Sequence, residues 1–228
     1  MNPSQKETGG SLDRSIAAVV AGQATGTGRR GRKSAETRLR LFRCALKLFA
    51  ERGFPSVTVE EITEAADVGK GTFFNYFQSK EHVLGVMAEI QLGKIRKAAD
   101  MTQDRRMSVQ AILRGLVHRL AEEPGRSPAL ARAFISSFLA NESVRATIRH
   151  TMLEGRKTVA QVLAAGQANG EINSSLKREK LALLLLQTCI GTVLLWSLHE
   201  KPRLESWMED SFQHYWRSIA APGAKQEP

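Results

Sequence analysis

Thr58-Val59-Glu60-Glu61-Ile62-Thr63-Glu64-Ala65-Ala66-Asp67-Val68-Gly69-Lys70-Gly71-Thr72-Phe73-Phe74-Asn75-Tyr76-Phe77 is the most informative run in this chain of 228 residues. Thr58 followed by Glu61 is a capping box: the hydroxyl accepts from an orphan helix amide and the carboxylate reaches back to the cap amide. A helix therefore starts here and carries Val59, Ile62 and Ala66 inward. Asp67-Val68-Gly69 interrupts it, Asp being one of the few residues besides Gly that tolerate a left-handed conformation. Helical spacing resumes at Lys70 and runs through Phe73, Phe74 and Phe77. Two short helices joined by a three-residue turn form a candidate helix-turn-helix.

Working outward, the rest of the chain also has helical period. Ser34 is positioned to cap a first helix with Phe42, Ala45, Leu46 and Phe49 on one face, and Gly53 and Pro55 stop it. Ser79 caps a fourth helix carrying Val83, Val86, Met87 and Ile90, and a fifth has apolar residues at 109, 112, 113, 116, 117 and 120. Ser127-Pro128 opens a sixth with Leu130, Phe134, Phe138 and Leu139. A seventh spans about 142–169 with Val144, Ile148, Met152, Val159, Val162 and Leu163 inward, until Gly170. An eighth covers about 176–198, and a ninth carries Leu204, Met208, Phe212, Tyr215 and Ile219. The expectation is an all-α fold of about nine helices: a three-helix domain over 34–94, with its helix-turn-helix at about 57–76, then a larger helical domain over 95–220. Residues 1–33 lack a lasting period and hold little apolar surface, so they are expected to be a disordered arm, as is a tail at 221–228. Gly26-Thr27-Gly28-Arg29-Arg30-Gly31 fits G-x-G-x-x-G but has no βαβ unit around it, and reads as a tether instead of a dinucleotide site.

Gly69-Lys70-Gly71-Thr72-Phe73-Phe74-Asn75-Tyr76-Phe77-Gln78-Ser79-Lys80-Glu81, preceded by Phe49-Ala50-Glu51-Arg52-Gly53-Phe54 and Thr58-Val59-Glu60-Glu61-Ile62, resembles the DNA-binding domain of TetR-type (tetracycline-repressor-like) transcriptional regulators. The resemblance spans about 34–94. Asp67 stands where that family often has Gly, and Gly69 where it often has Ser, which removes one hydroxyl from the start of the recognition helix. Such a helix sets its N-terminal side chains against base edges in the major groove while phosphate contacts fix its register. Phe73 and Phe77, four apart, belong to the core; Lys70, Gly71, Thr72, Phe74, Asn75 and Tyr76 are left for DNA. Asn75 suits adenine and Lys70 guanine, while Thr72 and Tyr76 offer hydroxyls to phosphate. Plain packing is the alternative for Phe74 and Tyr76. The resemblance also implies backbone contacts at Thr58 and Lys80, at the starts of helices two and four, where amides favour anions.

Thirty-three Lys and Arg against 23 Asp and Glu leave a net charge of +10, which points to a polyanionic partner. The charge is unevenly spread. Residues 34–80 hold seven basic and six acidic side chains, whereas 1–33 hold six and two, with Arg29, Arg30, Arg32 and Lys33 clustered beside the first helix. That cluster is expected to follow the DNA backbone or enter a minor groove, the alternative being a solvated tail.

The eighth helix, with Leu181, Leu183, Leu184, Leu185, Leu186, Ile190, Val193, Leu194, Leu195 and Trp196, is apolar all round, so both sides need cover. A second subunit is the expected cover for the outer side, helix nine completing a four-helix interface in a two-fold homodimer, as the resemblance also implies. In family members the inducer pocket lies among helices four to eight, which implies Met87, Leu113, Val117, Phe134, Phe138 and Met152 as candidate lining for an apolar or aromatic effector, although residues of this kind also form ordinary core. Five histidines, at 82, 118, 150, 199 and 214, show no metal-ligand spacing, and no nucleophile with its base is visible, so no enzyme, metal or cofactor is expected. Cys44 and Cys189, 145 positions apart, suit a reducing cytoplasm, and no helix has the basic amphipathic character of a membrane-surface element. The expected function is a ligand-responsive, sequence-specific repressor; the rival is an architectural protein that coats DNA of any sequence.

Overall fold

The computed structural model describes residues 29–104, 106–140, 142–199 and 203–223; residues 1–28 and 224–228, and with them most of the expected arm and tail, lie outside the described residues. Nine α-helices are present among them: α1 Arg29–Arg52, α2 Val59–Ala65, α3 Lys70–Phe74, α4 Lys80–Met101, α5 Val109–Ala121, α6 Pro128–Ala140, α7 Glu142–Ala168, α8 Arg178–Ser197 and α9 Leu204–Ile219, with a 3-10 turn at Pro124–Arg126. The punctuation is local chemistry. Gly53 ends α1 at φ 80° and Asp67 makes the α2–α3 turn at φ 50°. Both halves of the Thr58–Glu61 box are present: Glu61 N–H donates to Thr58 Oγ1 (3.2 Å) and Thr58 N–H to Glu61 Oε2 (2.8 Å). Ser79, Ser108 and Ser127 cap α4, α5 and α6.

The start of α1 differs from expectation. The helix begins at Arg29, not Ser34, so Arg29, Arg30, Arg32 and Lys33 belong to its first turns. Arg and Lys are good helix formers, and one glycine is tolerated when the turns on either side propagate. Ser34, inside the helix, caps nothing; its hydroxyl shares a 3.1 Å hydrogen bond with Tyr76 of the α3–α4 segment.

Two apolar cores meet within α4. Its first half, with Val83, Leu84, Val86, Met87 and Ile90, packs with Phe42, Phe49, Ile62, Phe73 and Phe77 of α1–α3. Its second half, from Ile95, joins the larger core formed with α5, α7, α8 and α9. Leu130 and Ala133 of α6 are buried in the first core, although α6 follows α5 in the chain. Ser127, at the head of α6, donates to the Ala50 carbonyl near the end of α1 (3.1 Å). Thus α6 is clamped to the helix-turn-helix unit while also packing on α7 and α8.

A polar clamp joins α5 to α9. Glu209 accepts from Arg114 Nε (3.1 Å) and Gln213 Nε2 (2.6 Å), and lies 2.6 Å from His118 Nε2. Burial pushes its carboxyl up, but the hydrogen bonds from Gln213, His118 and Arg114 outweigh that and hold it at about 2. A carboxyl depressed in the folded state stabilises above its unfolded value of about 4.3, and that stabilisation fades as pH falls towards the folded value. The stability gap between the parent chain and Glu209→Gln, read from urea unfolding, is therefore expected to be full at pH 7 and to narrow between about pH 4.3 and 2. An equal gap at pH 7 and pH 3 would show that the charge contributes nothing.

Candidate functional site

The outer face of α3 is available. Phe73 and Phe77 are fully buried beneath it, while Phe74, next to Phe73 in the chain, is 49% exposed, and Asn75 is exposed beside it. Helical geometry at these spacings leaves one side of so short a helix on the core and one outward. Gly71 is exposed, with nothing within 4 Å of where a Cβ would stand, and Thr72 is half-buried. Lys70 is exposed and its ammonium pairs with Glu60 of α2. Tyr76 is half-buried through its bond to Ser34. Thr58, at the head of α2, is exposed as well.

Lys80 is placed otherwise than expected. Its ammonium donates to the carbonyls of Phe54 (3.1 Å), Pro55 (3.4 Å) and Val57 (2.9 Å) and lies 4.6 Å from the centre of the Phe54 ring. An ammonium has three protons to donate, and here all three have acceptors within the α1–α2 loop. Lys80 braces that loop. Arg30, Arg32 and Lys33 are exposed along the first turns of α1.

In the larger domain a cavity of about 240 Å³ opens between α4, α6, α7 and α8. Ala88, Leu92, Phe134, Ile148 and Ile190 are among its lining, with Met152 at 40% and Ile190 at 39% exposure marking its solvent side. Gln91, Thr151 and Cys189 are the lining residues whose side chains carry an amide, hydroxyl or thiol. Next to it, Lys94 and Glu123 form a buried pair at 2.5 Å; Lys94 also reaches Glu122 (3.0 Å) and the Arg119 carbonyl. Burial pushes the Cys189 thiol up to about 12, so it stays protonated.

On α8, Leu181, Leu185 and Trp196 are buried in the subunit, whereas Leu183, Leu184, Leu194, Leu195 and Leu198 stand out from it, the last two at 56% and 65% exposure. The helix is long and apolar enough in composition to cross a bilayer, but it packs between α6, α7 and α9, as a core helix does.

The profile of bacterial regulatory proteins of the tetR family matches residues 41–87, from the middle of α1 to the first half of α4. Over 58 residues the chain is 50% identical to the HTH-type transcriptional regulator TcmR of Streptomyces glaucescens, covering 25% of this chain and 26% of TcmR; it therefore spans about a quarter of that relative. It is 24% identical over 161 residues to the regulator UidR of Escherichia coli K12, covering 69% of this chain and 80% of UidR. Among solved structures, Thermus thermophilus FadR, a TetR-family transcriptional repressor bound to lauroyl-CoA, superposes with a TM-score of 0.58 at 25% identity, covering 80% or more of both chains. The chain is thus similar to TetR-family regulators, through its front helices and over most of its length.

The relatives it resembles are helix-turn-helix transcriptional regulators. Of the six candidate lining residues, Phe134 and Met152 are on the cavity wall. Met87 is buried in the first core and Leu113 and Val117 in the second, and none of the three lines this cavity. The side chain of Phe138 lies outside the described residues. Sequence reasoning missed Gln91 and Thr151, polar residues on otherwise apolar helices. A search for polar interruptions of the inward stripes of α4 and α7 would have raised both.

A correction also concerns α9. Leu204, Met208, Phe212, Tyr215 and Ile219 are buried inside the subunit, so the stripe expected to serve a dimer is consumed by the chain's own core. The apolar face left uncovered belongs to α8.

Proposed function

We propose that this protein is a cytoplasmic, ligand-responsive repressor that binds a pseudo-palindromic operator as a homodimer and is released by a small, largely apolar effector. The observation that carries this reading is the position of Phe134, which lines the cavity and also packs against the core that supports α3. Leu130, one turn earlier on the same helix, is fully buried in that core. An occupant that displaces Phe134 moves α6 against α1 and α4, so occupancy and the setting of α3 are linked. An effector weakens DNA binding to the extent that it prefers the arrangement with the wrong spacing of recognition helices. Two such helices read a two-fold site when they are about 34–36 Å apart.

On the DNA side, Asn75 and Phe74 are the base-facing candidates, with Lys70 exchanging Glu60 for a guanine edge. Thr58, Gly71, Thr72 and Tyr76 serve the backbone, and Arg29, Arg30, Arg32 and Lys33 reach further along it from the first turns of α1. Lys80 is left to hold the α1–α2 loop. The outer face of α8 supports the dimer: its leucines lie around Gly191, where a Cβ would meet nothing within 4 Å, so a second helix can approach closely.

Selection of bound fragments from genomic DNA by the purified protein tests the reading. Enrichment of inverted repeats, held about 10³-fold or more above random duplex, is expected; equal binding to random duplex would make it an architectural protein. On a selected fragment, Asn75→Ala is expected to cost about 1 to 3 kcal/mol at one base pair of each half-site, measured by titrating single-base variants. Uniform weakening across all positions would show that Asn75 does not read a base.

A further inference from the structure

The polar atoms around the cavity are one-sided. Gln91 lines it, and the amide nitrogen of Gln91 donates to Glu123 (3.1 Å), whose carboxylate also accepts from Lys94 at 2.5 Å. That acceptor fixes the orientation of the amide, since its NH2 end must meet the carboxylate. Gln91 Oε1 is then left buried with no hydrogen-bond partner among the described residues. Such an atom gives up a hydrogen bond that it would have in water unless something donates to it. Thr151, on the facing helix α7, spends its one proton on the carbonyls of Thr147 (3.1 Å) and Ile148 (3.0 Å), leaving only lone pairs to offer. No Lys, Arg or His side chain lines the cavity. The nearest ammonium, Lys94, already has Glu122, Glu123 and the Arg119 carbonyl as acceptors. Apart from the second N–H of Gln91 and the weak donor of the Cys189 thiol, the wall accepts hydrogen bonds, and it supplies no positive charge. An anionic head group entering it would lose its hydration against nothing that compensates, whereas a hydroxyl that shifts the atoms now covering Gln91 Oε1 would complete it.

We infer that the cavity selects an uncharged, compact ring compound carrying one hydroxyl, with that hydroxyl donating to Gln91. A volume of about 240 Å³ suits a ligand of two fused rings, lying below the range of about 300–1,000 Å³ typical of drug-sized sites. The inference rests on the cavity being the effector site, and names the chemistry of that effector.

Titration calorimetry on the full chain with 2-naphthol, 2-methoxynaphthalene and 2-naphthoate tests it, because the three share their rings and differ in the polar group. In the parent chain 2-naphthol is expected to bind about 5- to 10-fold more tightly than the methyl ether, which cannot donate, and 2-naphthoate is expected to bind most weakly. Gln91→Met, close in volume, is expected to abolish the preference for 2-naphthol while still binding the methyl ether, whose retained affinity also shows that the variant folds. Ala88→Phe, which fills the cavity, is expected to remove binding of both. Equal affinity for 2-naphthol and its ether in the parent chain would overturn the inference, as would a preference that survives in Gln91→Met, or 2-naphthoate as the tightest binder. In those cases ring binding sensitive to Ala88→Phe leaves the cavity standing as the effector site. Binding of none of the three, or binding indifferent to Ala88→Phe, overturns the cavity as the site for such ligands and the inference with it.

Discussion

Lys94→Met is expected to destabilise the protein by about 3 to 5 kcal/mol, measured as a shift in urea unfolding. Glu123 is fully buried, and Lys94 is the one cation within ion-pair distance of it among the described residues. Removing the ammonium leaves a carboxylate away from water with only Gln91 donating to it, and Glu123 Oε1 already lacks a partner. The cost is that of an uncompensated buried charge and exceeds the net value of the pair, because forming the pair also desolvated both ions. The double variant Lys94→Met/Glu123→Met, which removes both charges, is accordingly expected to recover most of the loss. A Lys94→Met protein within about 1 kcal/mol of the parent would mean that water reaches Glu123, and that the polar edge of the cavity is wetter than its burial indicates. The same pair holds Gln91 in position, so this experiment also probes the support of the cavity's acceptor.

Leu195→Asp, the second large effect, is expected to turn a dimer into a monomer and to weaken operator binding by about 10²- to 10⁴-fold. Leu195 is 56% exposed and sits in the uncovered stripe with Leu184, Leu194 and Leu198. Aspartate there is harmless to an isolated subunit, since the position faces water, but in a two-fold interface the carboxylate appears twice and has no cation on the stripe to meet it. Separated subunits lose the effective concentration by which one half-site contact promotes the other, hence the size of the effect on DNA. Sedimentation velocity and titration of a selected operator fragment measure the two quantities. A variant that stays dimeric would place the interface elsewhere. A monomeric variant with unchanged operator affinity would show that each subunit binds alone.

Much of the fold was legible because its signals are local. The Thr58–Glu61 box, the left-handed Asp67, the stop at Gly53 and the serine caps of α4 and α6 each need only a few neighbouring residues to act. The helix-turn-helix motif was legible for the same reason: Phe73 and Phe77 turn to the core, while Phe74 and Asn75 between them are exposed. The start of α1 was not legible, because Ser34 is as good a cap as it is a partner for Tyr76, and the choice depends on a residue 42 positions away. Lys80 was misjudged similarly: a lysine at a helix start suits phosphate, but the α1–α2 loop turns three carbonyls towards it.

The sequence by itself determined an all-helical chain with a DNA-reading motif near its front and an eighth helix too apolar to stand alone. Periodicity and capping encode which face of each helix seeks the interior, and those faces were read correctly for most helices. Only the tertiary structure decided where packing leaves a gap. Crossing helices placed Phe134, Met152, Gln91 and Thr151 around one cavity while closing the core over Met87, Leu113 and Val117. It also decided which arc of α8 remains uncovered once α9 has spent its own apolar stripe inside the subunit. Both outcomes depend on how distant helices share a limited volume, a property of the whole packing that no single stretch of the chain contains.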